Sequence, residues 1–118
     1  MNDGCHCILD LYDCDQEILD DYQELEQLLQ TALRMSGATI LRIIGEKFKP
    51  QGVTLLALLA ESHASIHTWP EIGYAAVDLY TCNKEGTDTR KAAEFLTRKL
   101  KACDVEKQEL TRVVKRPA

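Results

Sequence analysis

Hydrophobic positions recur along this chain with two different periods, and the two periods separate predicted strands from predicted helices. Short apolar or alternating runs predict five strands, at residues 5–12, 38–48, 53–60, 73–81 and 105–114. Residues 53–60 are almost continuously apolar, which is typical of a strand buried on both faces. Residues 105–114 alternate only weakly and predict a final edge strand.

Two other segments repeat their apolar residues at helical spacing. The first helix is predicted to begin near Asp21, which resembles the start of a capping box with Glu24, and to end at Gly37. The second is predicted at residues 89–102, after a polar loop at residues 83–88. Their apolar stripes comprise Leu25, Leu28, Leu29, Ala32 and Leu33 in the first helix, and Ala92, Phe95, Leu96 and Leu100 in the second.

The order of these elements is strand, helix, three strands, helix, strand. The links between neighbouring strands are mostly too short for crossovers, so most of the sheet should be antiparallel. We therefore predict an α+β fold, a two-layer α/β sandwich with two helices on one face of the sheet. At 118 residues the chain has room for one core, so residues 1–118 are expected to form a single domain.

The composition of the chain argues against two classes of binding partner, nucleic acid and membrane. The net charge of −5 argues against nucleic acid, because a nucleic-acid surface needs clustered Lys and Arg. The longest apolar run, residues 55–60, is too short to span a bilayer, and Asp3, His6 and Asp10 interrupt any secretory segment. We therefore expect a cytoplasmic protein that binds neither nucleic acid nor membrane.

The five cysteines do not form a recognisable disulfide framework, because their number is odd and their spacing irregular. Cys5, His6 and Cys7 are the one group with a superficial likeness to metal ligands. Zinc sites normally need a second pair, and alternation on a strand would place His6 on the face opposite the two cysteines. We expect no metal site, and expect the cysteines to act as small buried side chains.

The segment at residues 61–71 is unusual because chemically active side chains crowd into it directly after a buried strand. They are Glu61, Ser62, His63, Ser65, His67, Thr68, Trp69 and Glu71. A serine beside a histidine can indicate an acyl-transfer hydrolase, but no Gly-x-Ser-x-Gly elbow surrounds Ser62. If the segment is extended, Ser62 and His67 lie on opposite faces, so a bend would be needed for them to cooperate. From composition alone, a surface loop is the simpler interpretation.

Residues 60–82 resemble the signature of the prokaryotic S-adenosylmethionine decarboxylases. Residues 48–54 are similar to that family as well, and so are Gly4-x-His6 and Leu9-Asp10 near the N-terminus. The resemblance runs in register along nearly the whole chain. It implies a proenzyme that cuts itself between Glu61 and Ser62 into a 1–61 beta chain and a 62–118 alpha chain.

The implied cut begins when the Ser62 hydroxyl attacks the carbonyl of Glu61 in a strained turn, which converts the amide to an ester. A base then removes the Cα proton of Ser62, and elimination and hydrolysis leave a covalent pyruvoyl cofactor at position 62. By resemblance, that group forms a Schiff base with the α-amine of S-adenosylmethionine and accepts electrons as carbon dioxide leaves, as pyridoxal phosphate does elsewhere. The decarboxylated product would supply spermidine synthesis.

The resemblance also implies roles for other residues. His67 is the proton acceptor in processing, since an imidazole is partly neutral at cytoplasmic pH. Thr54 supports processing by stabilising the oxyoxazolidine intermediate, and Cys82 is the proton donor in decarboxylation. Substrate binding falls to Phe48, Trp69 and Glu71: aromatic rings around the adenine or the sulfonium, and a carboxylate for the ribose hydroxyls. Because family members are dimers with sites near the subunit interface, we expect a homodimer of cut protomers.

Two alternatives stay open at this point. Many relatives carry His where this chain has Glu46, and an added carboxylate would suit a second cationic amine, so a sister decarboxylase for arginine or ornithine is one alternative. The other is a non-catalytic homologue that regulates a partner. Such a protein should have lost Ser62, His67 or Cys82, and this chain retains all three.

Overall fold

A computed structural model describes residues 3–82 and 87–115 of the chain. The strands are β1 (Gly4–Tyr12), β2 (Ile40–Lys47), β3 (Val53–Leu59), β4 (His63–Trp69), β5 (Tyr74–Cys82) and β6 (Asp104–Arg112). The helices are α1 (Gln16–Leu19), α2 (Tyr22–Met35) and α3 (Thr89–Lys99), and a 3-10 turn spans Pro70–Ile72. Most of the loop predicted at residues 83–88, namely 83–86, lies outside the described residues.

The six strands form one sheet in the order β2-β3-β4-β5-β1-β6. Every neighbouring pair is antiparallel, which confirms the predicted mostly antiparallel sheet. β6 lies at one edge, as predicted from its weak alternation, and β2 lies at the other. The centre of the sheet is therefore β4, β5 and their neighbours, where the candidate residues are concentrated.

One strand and one short helix were not predicted. β4 follows β3 after a turn of only three residues, Ala60, Glu61 and Ser62, so the residues treated as an irregular segment are mostly a regular strand. Its inward positions, Ala64, Ile66 and Thr68, do alternate with outward ones, but only one of the three is a large apolar side chain, so the strand pattern is weak. The helix α1 is a single turn capped by an aspartate side chain, too short to show a helical period.

One face of the sheet packs against α2 and α3 in a single hydrophobic core, which confirms the two-layer sandwich. The predicted cap of α2 is present, since the carboxylate of Asp21 accepts a hydrogen bond of 3.1 Å from the Glu24 N–H. The buried stripes match the prediction closely: they comprise Leu25, Leu29, Ala32 and Leu33 in α2, and Ala92, Phe95 and Leu96 in α3, with Leu100 just beyond its end.

The opposite face of the sheet, which we call the open face, is not covered within one chain. β3 shows this best, because Leu55 and Ala57 are fully buried while Leu56 and Leu58 are about half exposed. The prediction that residues 53–60 are buried on both faces is therefore wrong for the single chain. Large apolar side chains on the open face keep 42–55% of their surface exposed: Ile44, Leu56, Leu58 and Trp69 lie within this range, as does Leu110 on β6.

A buried threonine fastens the sheet to the α1 segment. The Thr68 hydroxyl donates to the Leu19 carbonyl at 2.7 Å and accepts from the Val53 N–H at 2.9 Å. The substitution Thr68→Val keeps the shape but removes both bonds, so we expect it to lower the free energy of unfolding by about 2 kcal/mol. Urea unfolding in a Ser62→Ala background, which keeps the chain uncut, measures the loss.

The matched control for Thr68 is Thr31→Val on α2. The Thr31 hydroxyl also donates to a backbone carbonyl, that of Gln27 at 3.0 Å, but it does so at the exposed helix surface. Water replaces that bond, so the expected loss is below about 0.5 kcal/mol. Equal losses for the two variants would show that the buried bonds of Thr68 do not hold the sheet to α1.

Candidate active site

Hydrogen bonds hold the turn between β3 and β4 from two directions. Across the hairpin, the Leu59 N–H donates to the Ser62 carbonyl at 2.9 Å. Towards the link between α2 and β2, the Ala60 N–H donates to the Thr39 carbonyl at 2.9 Å, and the Thr39 N–H donates to Oε1 of Glu61 at 3.0 Å. These bonds fix the peptide bond between Glu61 and Ser62 at the tip of a defined turn, which we call the cleavage turn (residues 60–62).

Two side chains meet the backbone of the cleavage turn. The Cys82 thiol, at the end of the adjacent strand β5, donates to the Glu61 carbonyl oxygen with an S···O distance of 3.3 Å. The Ser62 hydroxyl oxygen lies 3.1 Å from Nδ1 of His63, the first residue of β4. The structure thus brings together Glu61, Ser62 and Cys82, as the sequence hypothesis requires. It adds His63, whose position directly after Ser62 was the signal available in the sequence.

A second group lies on the open face farther along β4, and we call it the His67 cluster (Thr54, His67 and Trp69). Thr54 of β3 and His67 of β4 are directly paired, and the Thr54 hydroxyl oxygen is 3.0 Å from Nδ1 of His67. The indole of Trp69 lies 6.4 Å from the imidazole of His67, centroid to centroid. Glu46 of β2 pairs with Thr54 from the other side, so its carboxylate borders this cluster.

The structure does not bring Ser62 and His67 together within one chain. β4 pairs without interruption with β5 from His63 to Trp69, so the bend that cooperation would need is absent from this strand. Five residues of extended chain separate Ser62 from His67, which corresponds to about 16 Å. A proton cannot pass directly between groups that far apart. The two candidates therefore belong to separate half-sites, towards opposite ends of the same strands.

The remaining substrate-binding candidates lie at the His67 end of the sheet. Phe48 follows β2, is about half exposed, and is held by its N–H donating to the Gly52 carbonyl at 2.8 Å. Glu71 lies in the 3-10 turn two residues beyond Trp69, with an exposed side chain. Both are thus available to a ligand at this end of the sheet, and both are remote from the cleavage turn of the same chain.

A row of stacked rings continues from the His67 cluster across the open face. Tyr74 stacks on Trp69 at 5.2 Å and on Tyr12 at 5.3 Å, centroid to centroid. Its hydroxyl donates to Oδ1 of Asp10 at 2.5 Å, and this bond, together with partial burial, raises the pKa of Tyr74 to about 12. Sequence reasoning missed this role of Asp10 and Tyr74, because their contact depends on the register between β1 and β5.

The Tyr74 contact predicts a distinct ultraviolet titration. Tyr74 should ionise near pH 12, and Tyr74→Phe should remove that step while Tyr22→Phe should not. Because the folded pKa lies above the unfolded value of about 10, the stabilisation is complete below pH 10 and is lost as the pH rises through 12. Asp10→Asn should move the late step towards lower pH. A step that persists unchanged in Tyr74→Phe would contradict the assignment.

Neither a metal-binding cluster nor a membrane-spanning helix occurs among the described residues. Within residues 3–82 and 87–115, no group of three or more His, Cys, Asp or Glu side chains is placed to hold a metal ion. Cys5 and His6 do face opposite sides of β1 as predicted, with His6 bonded to Asp78 on the open face and Cys5 facing Thr89 of α3. In the same ranges no helix has the length and apolar character needed to cross a membrane.

Comparison with known proteins identifies the family. A family model described as S-adenosylmethionine decarboxylase matches residues 5–113. The S-adenosylmethionine decarboxylase proenzyme of Synechococcus sp. (strain WH7803) is 58% identical over 99 residues, covering 84% of this chain and 77% of that protein. The corresponding proenzyme of Moorella thermoacetica is 43% identical over 114 residues, covering 97% and 90%.

A solved structure extends the match to three dimensions. The crystal structure of the adenosylmethionine decarboxylase from Aquifex aeolicus superposes with a TM-score of 0.90 at 34% identity, covering 99% of this chain and 97% of that one. By its fold and its sequence matches, the chain is an enzyme of the decarboxylase class. It belongs to the S-adenosylmethionine decarboxylase family, which confirms the resemblance found in the sequence.

Proposed function

We propose that this chain is the proenzyme of a homodimeric, pyruvoyl-dependent S-adenosylmethionine decarboxylase that cuts itself between Glu61 and Ser62. The observation that carries the proposal is the thiol of Cys82, 3.3 Å from the Glu61 carbonyl oxygen in the turn that also holds the Ser62 hydroxyl. A nucleophile and a donor for the carbonyl it would attack therefore share one turn. The relatives' name, proenzyme, supports a cut in the chain.

The cleavage turn suits the first step of such a cut. When the Ser62 oxygen attacks the Glu61 carbonyl carbon, negative charge develops on the carbonyl oxygen, which the Cys82 S–H already faces. The backbone bonds to Thr39 and across the hairpin hold that carbonyl in place. The Cα proton of Ser62 must leave in a later step, and for that step the His67 of the same chain is too far away.

A second copy of the chain resolves this distance. The open face carries half-exposed apolar side chains beside the polar ones, which favours burial against another surface. In a two-fold dimer the same face meets itself, so the cleavage turn of one copy would meet the partner's His67, and the reverse, giving two complete sites. The homodimer then explains both the uncovered face and the separation of the two half-sites.

The same arrangement would serve decarboxylation. A pyruvoyl group at position 62 supplies the electrophilic carbonyl that binds the substrate amine and takes up electrons when carbon dioxide leaves. Cys82 borders that position and can deliver a proton to the substrate carbon. The partner's Trp69 and Phe48, both half-exposed rings, can pack against the adenine or the sulfonium cation, and the partner's Glu71 can accept from the ribose hydroxyls.

Two measurements test the proposal together. Mass spectrometry of the denatured protein should find two fragments separated at position 62, the second beginning with pyruvate in place of serine. Carbon dioxide should then be released from carboxyl-labelled S-adenosylmethionine, and not from labelled ornithine or arginine assayed in parallel. An uncut chain of 13.3 kDa after long incubation would refute the proenzyme.

The substrate assay also decides the role of Glu46. This carboxylate is exposed and pairs directly with Thr54, so it borders the half-site that would receive the substrate. The position of Glu46 supports one alternative, a decarboxylase for arginine or ornithine. A cut protein that releases carbon dioxide from one of these amino acids, and not from S-adenosylmethionine, would be that sister enzyme. In that case Glu46→His should weaken binding of the second cationic amine.

A further inference from the structure

We propose that His63 is the proton shuttle for the first step of self-cleavage, the shift of the Glu61 acyl group from nitrogen to oxygen. The inference rests on the proposed function and assigns a catalytic residue that the family resemblance did not supply. The Ser62 hydroxyl oxygen lies 3.1 Å from Nδ1 of His63 in the same chain, within hydrogen-bonding distance. The His67 of that chain is about 16 Å away along β4.

One imidazole can carry out both proton transfers of this step. With the ring proton on Nε2, Nδ1 accepts the hydroxyl proton of Ser62 as the oxygen bonds to the carbonyl carbon of Glu61. The Cys82 thiol donates to the carbonyl oxygen while it carries negative charge. The bond from that carbon to the Ser62 nitrogen then breaks, and His63 returns the proton to the nitrogen. An amide and an alcohol become an ester and an amine, with no net gain or loss of protons.

The ring of His63 has an aromatic neighbour on the next strand. It contacts the ring of Tyr80 at 5.5 Å, centroid to centroid, and His63 and Tyr80 pair directly between β4 and β5. The Tyr80 ring is in turn packed closely over Gly4, where an added Cβ would lie 2.7 Å from the phenol oxygen. The Tyr80 ring also stacks against the His6 ring at 5.3 Å, centroid to centroid, and its centroid lies 5.1 Å from the guanidinium carbon of Arg112.

His63 is exposed, and the contacts that limit its rotation are the Tyr80 ring and the Ser62 hydroxyl. A base that must act on one particular hydroxyl is more effective when its ring orientation is fixed by its surroundings. The structure therefore divides the cut between two histidines. His63 serves the acyl shift within its own chain, and the partner's His67 serves the later removal of the Cα proton of Ser62.

Hydroxylamine separates the two steps, because it cleaves an ester under conditions that leave an amide intact. In a His67→Ala background the reaction should stop at the ester, so freshly made protein that is denatured and treated with hydroxylamine should split after Glu61. Adding His63→Ala to that background should slow the appearance of the hydroxylamine-sensitive bond by about 100-fold, at the lower end of general-base effects. Equal rates with and without His63 would overturn the inference.

A second variant tests proton transfer against mere positioning. His63→Asn keeps an acceptor near the Ser62 hydroxyl but cannot take up its proton, so it should be as slow as His63→Ala. Recovery of the parent rate in His63→Asn would show that His63 only orients the hydroxyl, and would overturn the shuttle. No sensitive bond in His67→Ala alone would do the same, because the shift would then depend on His67. Failure of the unsubstituted chain to split would instead refute the proposed function.

Discussion

Replacing Ser62 with alanine is expected to leave the purified protein as a single uncut chain of 13.3 kDa with no decarboxylase activity. Alanine removes the only hydroxyl at the bond that the Cys82 thiol faces, so no ester can form there and no pyruvoyl group can follow. The effect should be complete, because the variant loses the nucleophile and the cofactor in one change. Denaturing mass spectrometry and release of labelled carbon dioxide measure the two losses separately.

A matched control for Ser62→Ala is Ser65→Ala on the same strand. It removes the same atom from a neighbouring serine that pairs with Leu56 and Asp78 near the middle of the sheet, away from the scissile bond. The Ser65 variant should still cut itself and retain activity. If Ser62→Ala also yields two fragments, the cut does not use the Ser62 hydroxyl, and the interpretation of the cleavage turn is wrong.

The helical layer could be predicted from the sequence because its signals are local. The Asp21 cap and the apolar stripe of α2 depend only on residues within one helix, and both are present in the structure. β4 could not be predicted in the same way. Its inner side offers only Ala64, Ile66 and a threonine, and the hydroxyl of that threonine is satisfied by the Leu19 carbonyl far away in the chain. A strand stabilised by such distant contacts has a weak local pattern.

In the candidate site, too, the local sequence predicts some features while others depend on distant contacts. The resemblance identified Ser62, His67 and Cys82, yet neither spacing nor motif shows which of them share a half-site. That depends on the pairing of Thr54 with His67 and on Cys82 ending the strand next to β4. Register is a long-range property, set by the burial of whole strands. The sequence hypothesis required a bend between Ser62 and His67. The strand is straight, and the proposed function therefore uses the His67 of a second chain.

Two inactive variants, Ser62→Ala and His67→Ala, are expected to restore self-cleavage when they are produced together in one cell. In a mixed dimer, the Ser62 of one chain meets an intact His67 contributed by the other chain, so one of the two sites is complete. The other site lacks both groups. With equal expression and random pairing, about half of the His67→Ala chains should be cut, and none of the Ser62→Ala chains.

The pair Ser62→Ala and Cys82→Ala is the decisive control, because both residues belong to the half-site at the cleavage turn. No arrangement of these two chains places an intact Ser62 beside an intact Cys82, so their mixture should release no labelled carbon dioxide. Mass spectrometry of the chains, distinguished by a tag, gives the cut fraction for each variant. Should Ser62→Ala and His67→Ala fail to complement although both fold and pair, each site would have to be built within one chain. The strand β4 would then have to bend by far more than its uninterrupted pairing with β5 allows.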